Sequence, residues 1–126
     1  MDDRVQNALA RGQLIDMTTT GRRSGQPRRI EIVTHAINGR VYISGMPRAR
    51  KRAWLANLEA DSRLTIHLKG DVRADVPAQA RVVTDEAERR AILAHVAKAW
   101  NRSDLETMVR LSPLIEVEAV EAAAAA

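Results

Sequence analysis

RRIEIVTHAINGRVYIS, residues 28–44, is the stretch of this sequence that decides the fold. In residues 28–37, mostly apolar side chains recur at every second position, a pattern typical of a half-buried strand. One face of that strand carries Ile30, Ile32, Thr34 and Ala36. Asn38-Gly39 is the strongest short-range signal for a two-residue hairpin turn. Residues 41–44 therefore return as the antiparallel partner strand.

Further strands are expected on both sides of this hairpin. Runs of β-branched and aliphatic residues predict strands over 14–20, 63–69, 72–84 and 114–120. Pro77 falls inside the third of these runs and suggests an edge or a bulge, because proline cannot donate to a strand ladder. Most of the connections between strands are short, which favours antiparallel pairing over βαβ units.

Helices are predicted between and beside the strands, over residues 50–60, 85–101 and 103–111. Residues 1–12 are expected to form a short helix or an arm. Asp85 with Glu88 and Ser103 with Glu106 have the spacing of capping boxes. The order of elements indicates an α+β fold, a closed or nearly closed antiparallel β-barrel with inserted helices. We expect one domain over 1–126, ending in the tail 121–126.

Composition excludes several classes of protein. The 126 residues contain no cysteine, which rules out disulfides, thiolate metal sites and a cysteine nucleophile. The longest uncharged run has eight residues, far short of the roughly 20 that a membrane helix needs. His35, His67 and His95 lack metal-ligand spacing, so no metal site is predicted. We expect a cytoplasmic protein with no integral membrane segment.

Positive charge is concentrated in one part of the sequence. Residues 22–52 carry nine Lys or Arg side chains and a single acid, Glu31, although the whole chain has a net charge of only +4. Such asymmetry is consistent with an anionic partner or with a solvated basic face. Nucleic acid is disfavoured, because single-strand binders stack bases on aromatic side chains and this chain has only three.

The sequence TTTGRRSGQPR, residues 18–28, is the leading candidate for a binding loop. Its two glycines can take positive φ and expose backbone N–H groups as an anion nest. Arg22, Arg23 and Arg28 add guanidinium groups that suit phosphate or carboxylate. The alternative is a hairpin loop that is basic by chance. A second basic run, RARKR at residues 48–52, leads into the helix predicted over 50–60. A bound anion at this helix start would relieve repulsion from the helix dipole.

These motifs together resemble the deazaflavin-dependent nitroreductase and quinone reductase family, which has a flavin-binding split β-barrel. The resemblance extends over residues 14–69 and includes IEI at 30–32, NGR at 38–40 and WLANL at 54–58. It implies coenzyme F420, whose tail of phosphate and glutamates is strongly anionic. The cofactor-binding residues that it implies are Thr18, Arg22, Arg23, Ser24, Gln26, Pro27, Arg28, Ser44, Gly45, Arg48, Arg50 and Lys51.

The resemblance also implies an F420H2-dependent oxidoreductase that transfers a hydride to a conjugated acceptor such as a quinone or a nitroaromatic compound. Val33, Met46 and Trp54 are the candidates for an apolar substrate pocket, and His35 is a candidate proton donor. Val33 and Leu55 depart from the family, where aromatic residues are common at these two positions. The acceptor could therefore differ from that of other members.

Two alternatives are consistent with the same residues. The chain could be a split-barrel protein that binds FMN or another cofactor, or a non-enzymatic carrier of such a ligand. Comparing the affinities for F420 and FMN would separate the first alternative from the F420 reductase. Acceptor-dependent oxidation of reduced F420 would separate the second. The partner is expected to be a small-molecule acceptor, and the protein a monomer or a homodimer.

Overall fold

The computed structural model describes residues 2–120, which form six strands and four helices. The strands are β1 Leu14–Thr20, β2 Pro27–Ile37, β3 Arg40–Ser44, β4 Arg63–Lys69, β5 Arg73–Val82 and β6 Leu114–Ala119. The helices are α1 Asp3–Leu9, α2 Ala53–Ala60, α3 Glu86–Ala99 and α4 Leu105–Leu111. The tail predicted over 121–126 lies outside the described residues.

The six strands close into an antiparallel barrel in the order β1-β2-β3-β6-β5-β4. This confirms the α+β class and the mainly antiparallel barrel expected from the sequence. The Asn38-Gly39 turn joins β2 to β3, with both residues at positive φ, 53° and 77°. β2 changes partner along its length: it pairs with β1 as far as Val33 and with β3 from Thr34 onward.

The main core fills the barrel interior with aliphatic side chains. Ile15 and Met17 of β1, Ile43 of β3 and Ile66 of β4 are almost fully buried there. Thr34 is buried on the same face, and Ile30 and Ile32 are half-buried, as the alternation in β2 predicts. Ala36 is exposed, because it lies at the end of the barrel, beyond the part of β2 that pairs with β1.

A second core lies outside the barrel, beneath α3 and α4. Ile37 and Tyr42, from the outer face of the hairpin, pack there against Leu93 and Val96 of α3 and Met108 of α4. The Asp85 carboxylate accepts a hydrogen bond from the Glu88 N–H at 2.9 Å, which confirms the predicted cap of α3. None of the helices within residues 2–120 is long and apolar enough to cross a membrane.

Three local expectations were wrong. Helix α2 begins at Ala53 rather than at residue 50, so the basic residues before it stay outside the helix. Helix α4 begins at Leu105 with Asp104 rather than Ser103 as its N-cap, so the predicted capping box does not form. The Asp104 carboxylate makes no cap bond, since it pairs with Arg102. Strand β5 runs through Pro77 without interruption. The Pro77 carbonyl accepts from the Val120 N–H at 2.9 Å, so its backbone faces β6 and its missing N–H costs no bond to β4.

Candidate functional site

A wide cleft lies between α2 and the loop that joins β1 to β2, and has a volume of about 1130 Å³. Eight of its lining residues are basic and one, Glu59, is acidic. The basic residues are Arg22, Arg23, Arg28, Arg29, Arg48, Arg50, Lys51 and Arg52. We call this the first cleft. It brings together the two basic stretches that are about 25 residues apart in the sequence.

The glycine loop, residues 21–26, is shaped largely by its own hydrogen bonds. The Gly21 N–H donates to the Gln26 carbonyl and the Gly25 N–H to the Gly21 carbonyl, each at 2.8 Å. Only Gly25 has positive φ, at 71°. Gly21 is required for a different reason, since a Cβ there would lie 2.5 Å from the Ser24 hydroxyl oxygen and 3.2 Å from the Gln26 carbonyl oxygen. The expected nest is therefore largely closed, and anion binding depends mainly on side chains.

Asn57 of α2 holds the glycine loop in place. Its side chain is 6% exposed. The amide nitrogen donates to the Thr19 hydroxyl at 3.1 Å, and the amide oxygen accepts from the Arg22 N–H at 3.0 Å. The sequence interpretation placed Asn57 only on a helix face beside Trp54 and Leu58. An amide among apolar residues at core spacing was the available signal, since a buried amide must find partners.

Most of the basic side chains of the first cleft have no acidic partner. Within residues 2–120, no carboxylate lies within salt-bridge distance of Arg22, Arg23, Arg28, Arg48 or Arg50. Arg29 pairs with Asp16 at 3.1 Å, and Lys51 pairs with Glu59 at 2.7 Å. The cleft therefore carries an excess of positive charge that its own residues do not neutralise.

Arg52 occupies a special position at the start of α2. Its guanidinium donates to the Met46 carbonyl at 2.7 Å and covers Gly45, where any Cβ would lie 2.9 Å from the Arg52 Cζ atom. Burial, and then the neighbouring Arg48, lowers the pKa of Arg52. The pair Arg48 and Arg52 is thus repulsive in the free protein, and a bound anion would relieve that repulsion.

The two neighbouring threonines of β1 point in opposite directions. Thr19 lines the first cleft and is 2% exposed. Thr18 faces the outside of the barrel, where its hydroxyl lies 2.7 Å from Nε2 of His67. Thr18 and Pro27 line a different cleft of about 480 Å³. The part that Thr18, Gln26 and Pro27 play in cofactor binding stays a prediction.

The residues expected near the acceptor do not share the first cleft. Trp54 lines it and is 8% exposed, but Val33 and Met46 lie elsewhere and are 38% and 49% exposed. Val33 pairs with Leu14 at the start of β1, while the glycine loop follows Thr20 at the other end, about 20 Å away along the strand. The Ser44 hydroxyl is buried and donates to the Pro113 carbonyl at 2.7 Å.

His35 lies still further along β2, on the outer face of the barrel. Its ring meets the ring of Trp100 edge-on, with 5.3 Å between the two centroids. Its Nε2 atom is buried and has no hydrogen-bond partner within residues 2–120, and burial lowers the pKa of the side chain. His35 thus belongs to the contact between β2 and the end of α3. Its role as a proton donor stays a prediction.

The first cleft fits the tail of coenzyme F420. A phosphate followed by several carboxylates carries more negative charge than two or three guanidinium groups can neutralise. Six arginines of this cleft have no acidic partner among residues 2–120, and one of these, Arg52, already donates to the Met46 carbonyl. Arg22, Arg23, Arg28, Arg48 and Arg50 are therefore the residues that would hold it. The aliphatic parts of Ile30 and Ala56 and the Trp54 ring supply an apolar wall beside these charges.

Solved structures similar to this chain share its fold. A putative 5-nitroimidazole antibiotic resistance protein from Bacteroides thetaiotaomicron is 13% identical, with a TM-score of 0.68 over 96% of this chain and 81% of that one. An F420-H2 dependent reductase, FDR-A, is 23% identical, with a TM-score of 0.54 over 83% of this chain and 93% of that one. HutZ, the heme storage protein of Vibrio cholerae, is 11% identical, with a TM-score of 0.68 over 96% and 91%.

At these identities, the similarities establish the fold and nothing more. No curated protein matches the sequence at a significant level. The family comparison goes further, because it covers nearly the whole described chain. Residues 2–117 match the family described as F420H(2)-dependent quinone reductase. The chain therefore belongs to the F420H2-dependent quinone reductase family, and is an enzyme that uses coenzyme F420.

Proposed function

We propose that this enzyme reduces a flat, conjugated acceptor, a quinone or a nitroaromatic compound, with the tail of F420 held in the first cleft. The observation that carries the proposal is the set of five arginines in that cleft, besides Arg52, that have no acidic partner among the described residues. Guanidinium groups bind phosphate and carboxylate through paired hydrogen bonds, so this set suits a long anionic chain.

Reduced F420 supplies both a hydride and a proton when it is bound, so a quinone gains two electrons and two protons and leaves as the hydroquinone. The reaction balances without a proton from the protein. The protein residues therefore bind and orient the reactants and exclude water from them. Asn57 and Gly21 keep the glycine loop in one shape, so that Arg22 and Arg23 are presented to the anion before it arrives.

The choice of acceptor is tested by measuring the oxidation of reduced F420 through the change in absorbance of the cofactor. We expect the purified protein to oxidise reduced F420 only when an acceptor is added, with a quinone and a nitroaromatic compound both active. A saturated analogue of the quinone is the control and should give no turnover. If F420 binds but no acceptor in a broad panel is reduced, the protein is a carrier and the proposal is wrong. Tighter binding of FMN than of F420 would also contradict it.

A cytoplasmic location and a monomeric or homodimeric state also stay predictions. Light scattering coupled to size-exclusion chromatography measures the mass in solution directly. We expect a value near the 13.9 kDa of one chain or near twice that mass. A larger assembly would contradict this expectation.

A further inference from the structure

We propose that a second cleft, next to the first, binds the distal carboxylates of the F420 tail, and that Arg110 is the residue that makes it a distinct subsite. This inference rests on the proposed function, because it presumes that the proximal part of the tail occupies the first cleft. It adds that the enzyme distinguishes long-tailed from short-tailed forms of the cofactor.

The second cleft has a volume of about 340 Å³ and lies on the other side of the polybasic segment, residues 48–52. Its remaining wall is formed by residues 82–84, by the end of α4 with the residues that follow it, and by Leu55, Arg89 and one acidic residue, Glu59. Arg48, Arg50, Lys51 and Arg52 line both clefts. The Arg48 N–H donates to the Leu111 carbonyl at 3.3 Å, which fixes the polybasic segment against α4.

The cations that line the second cleft differ in how far they are already engaged. Arg89 is satisfied, because its guanidinium donates to the carbonyls of Val83, Val109 and Ser112 at 2.6–3.0 Å. Lys51 is paired with Glu59. Arg110 is exposed, and within residues 2–120 no carboxylate lies within salt-bridge distance of it. Arg110 is therefore available to an incoming anion, together with Arg48 and Arg50.

A second observation at the same cleft is a buried hydroxyl that lacks a hydrogen-bond partner among the described residues. Ser112 lines the second cleft and is 4% exposed, and its hydroxyl oxygen has no hydrogen-bond partner among the described residues. A buried hydroxyl without a partner is uncommon in a folded protein. Rotation of this side chain toward the cleft would let it donate to a carboxylate.

The shape of the basic surface selects the kind of anion. A single phosphate is compact and would be held by two or three cations, but the available arginines here run from Arg22 in the glycine loop across the polybasic segment to Arg110. A chain with carboxylates at regular intervals can contact such an extended row. The repeated glutamates of the cofactor tail have this chemistry.

The test compares the affinities of a short-tailed and a long-tailed form of F420, measured by fluorescence titration. We expect Arg110→Ala to weaken binding of the long-tailed form roughly 3- to 10-fold, the usual effect of losing a charge-assisted contact, and to leave the short-tailed form unchanged. Arg110→Lys should restore part of the loss. The matched control is Arg73→Ala, an exposed arginine that lines neither cleft and should change neither affinity.

The outcomes separate this inference from the proposed function. If the unmodified protein binds neither form, the proposed function fails as well. If it binds both but Arg110→Ala weakens both equally or weakens neither, only the distal subsite is disproved. Thermal melting of each variant checks folding, and we expect no change because Arg110 is exposed.

Discussion

Asn57 is the residue that connects the helix of the candidate site to its loop. Replacing it with alanine removes one buried and one partly buried hydrogen bond, and leaves the Thr19 hydroxyl and the Arg22 N–H without these partners. We expect Asn57→Ala to lower the free energy of unfolding by about 1–3 kcal/mol, measured by urea denaturation, and to weaken F420 binding. Asn7→Ala, on the exposed face of α1, is the control and should change neither quantity. Unchanged cofactor affinity would mean that the loop keeps its shape without Asn57.

Arg22 and Arg23 are expected to act on binding and not on folding. Both side chains are exposed and neither has a carboxylate partner among the described residues, so they contribute little to stability. The double variant Arg22→Ala, Arg23→Ala should bind F420 roughly tenfold or more weakly, with the midpoint of thermal unfolding unchanged. A collapse of thermal stability would show instead that these arginines are structural.

His35 should make the stability of the protein depend on pH. Burial lowers its pKa in the folded protein below the ordinary value of 6.5, so in the interval below 6.5 the unfolded chain holds a proton that the folded chain does not. The free energy of unfolding should therefore fall as the pH decreases from 7 to 5, by at most about 1.4 kcal/mol per pH unit from this residue.

The His35 contribution can be isolated by substitution. His35→Phe keeps a ring against Trp100 but cannot be protonated, so we expect its stability to depend less steeply on pH in that range. Equal slopes for the unmodified protein and His35→Phe would contradict the assignment.

The two threonines of β1 show what the sequence could reveal about single residues. Ile15 and Met17 are apolar and alternate, so Thr19 shares their face and Thr18 does not. The same alternation, continued to the end of β1, would have predicted that Thr19 and not Thr18 lies at the first cleft. Contacts between distant segments could not be obtained in this way. The bond from Thr18 to His67 joins residues 49 positions apart and depends on the pairing of β1 with β4.

At the scale of elements, the two turns with a glycine at positive φ offer a matched comparison. Gly25 in the glycine loop and Gly39 in the β2–β3 hairpin have φ of 71° and 77°, and a Cβ at either position would meet no atom within 4 Å. Each Gly→Ala change should therefore lower the free energy of unfolding by about 1–2 kcal/mol through backbone strain alone.

Only one of these two substitutions should affect the cofactor. We expect Gly25→Ala to reduce F420 affinity, because it distorts the loop that carries Arg22 and Arg23. Gly39→Ala lies outside both clefts and should leave the affinity unchanged. Urea denaturation and F420 titration on both variants test this, and equal effects on affinity would contradict the position assigned to the site.

Elements with a strong local pattern were predicted closely. β1 and β4 have the bounds that their alternating residues indicate, and α3 lies within the predicted segment and begins with the predicted cap. The errors occur where local signals conflict. Residues 50–52 belong to a helical pattern, but positive charge at a helix N-terminus is unfavourable. The helix therefore begins at Ala53, with Arg52 as an N-cap that makes no side-chain cap bond.

At the scale of the whole molecule, charge is segregated. Apart from Arg110, the arginines of both clefts that have no acidic partner among residues 2–120 come from the first half of the sequence. The second half forms ion pairs such as those of Arg81 with Glu88 and Glu116. Exposed charges are screened by salt over distances of about 10 Å at 0.1 M and 3 Å at 1 M. F420 affinity should therefore decrease about tenfold or more between these concentrations.

The salt series has an internal control. For the double variant Arg22→Ala, Arg23→Ala, F420 affinity should decrease less steeply with salt, because fewer charges are screened. Affinity that does not depend on salt would mean that binding relies on apolar contacts and not on the basic clefts.

The overall architecture was accessible from the sequence because the hairpin, the strand lengths and the short connections all favour an antiparallel barrel. The order of the strands around the barrel could not be predicted, because β6 follows α3 and α4 in the chain but lies between β3 and β5 in the barrel. The candidate site was only partly accessible for the same reason. The two basic stretches could be identified separately, but their meeting at one cleft depends on how α2 packs against β1.

The glycine loop is already ordered by Gly21, Gly25 and Asn57 in the protein alone. Its conformational entropy is therefore lost during folding and does not oppose binding. Together with attraction between the basic clefts and an anionic ligand, this order favours association in a single fast step without prior rearrangement. Exchange of oxidised for reduced cofactor would then be limited by dissociation, and the lifetime of the complex would set an upper limit on how often one enzyme molecule can turn over.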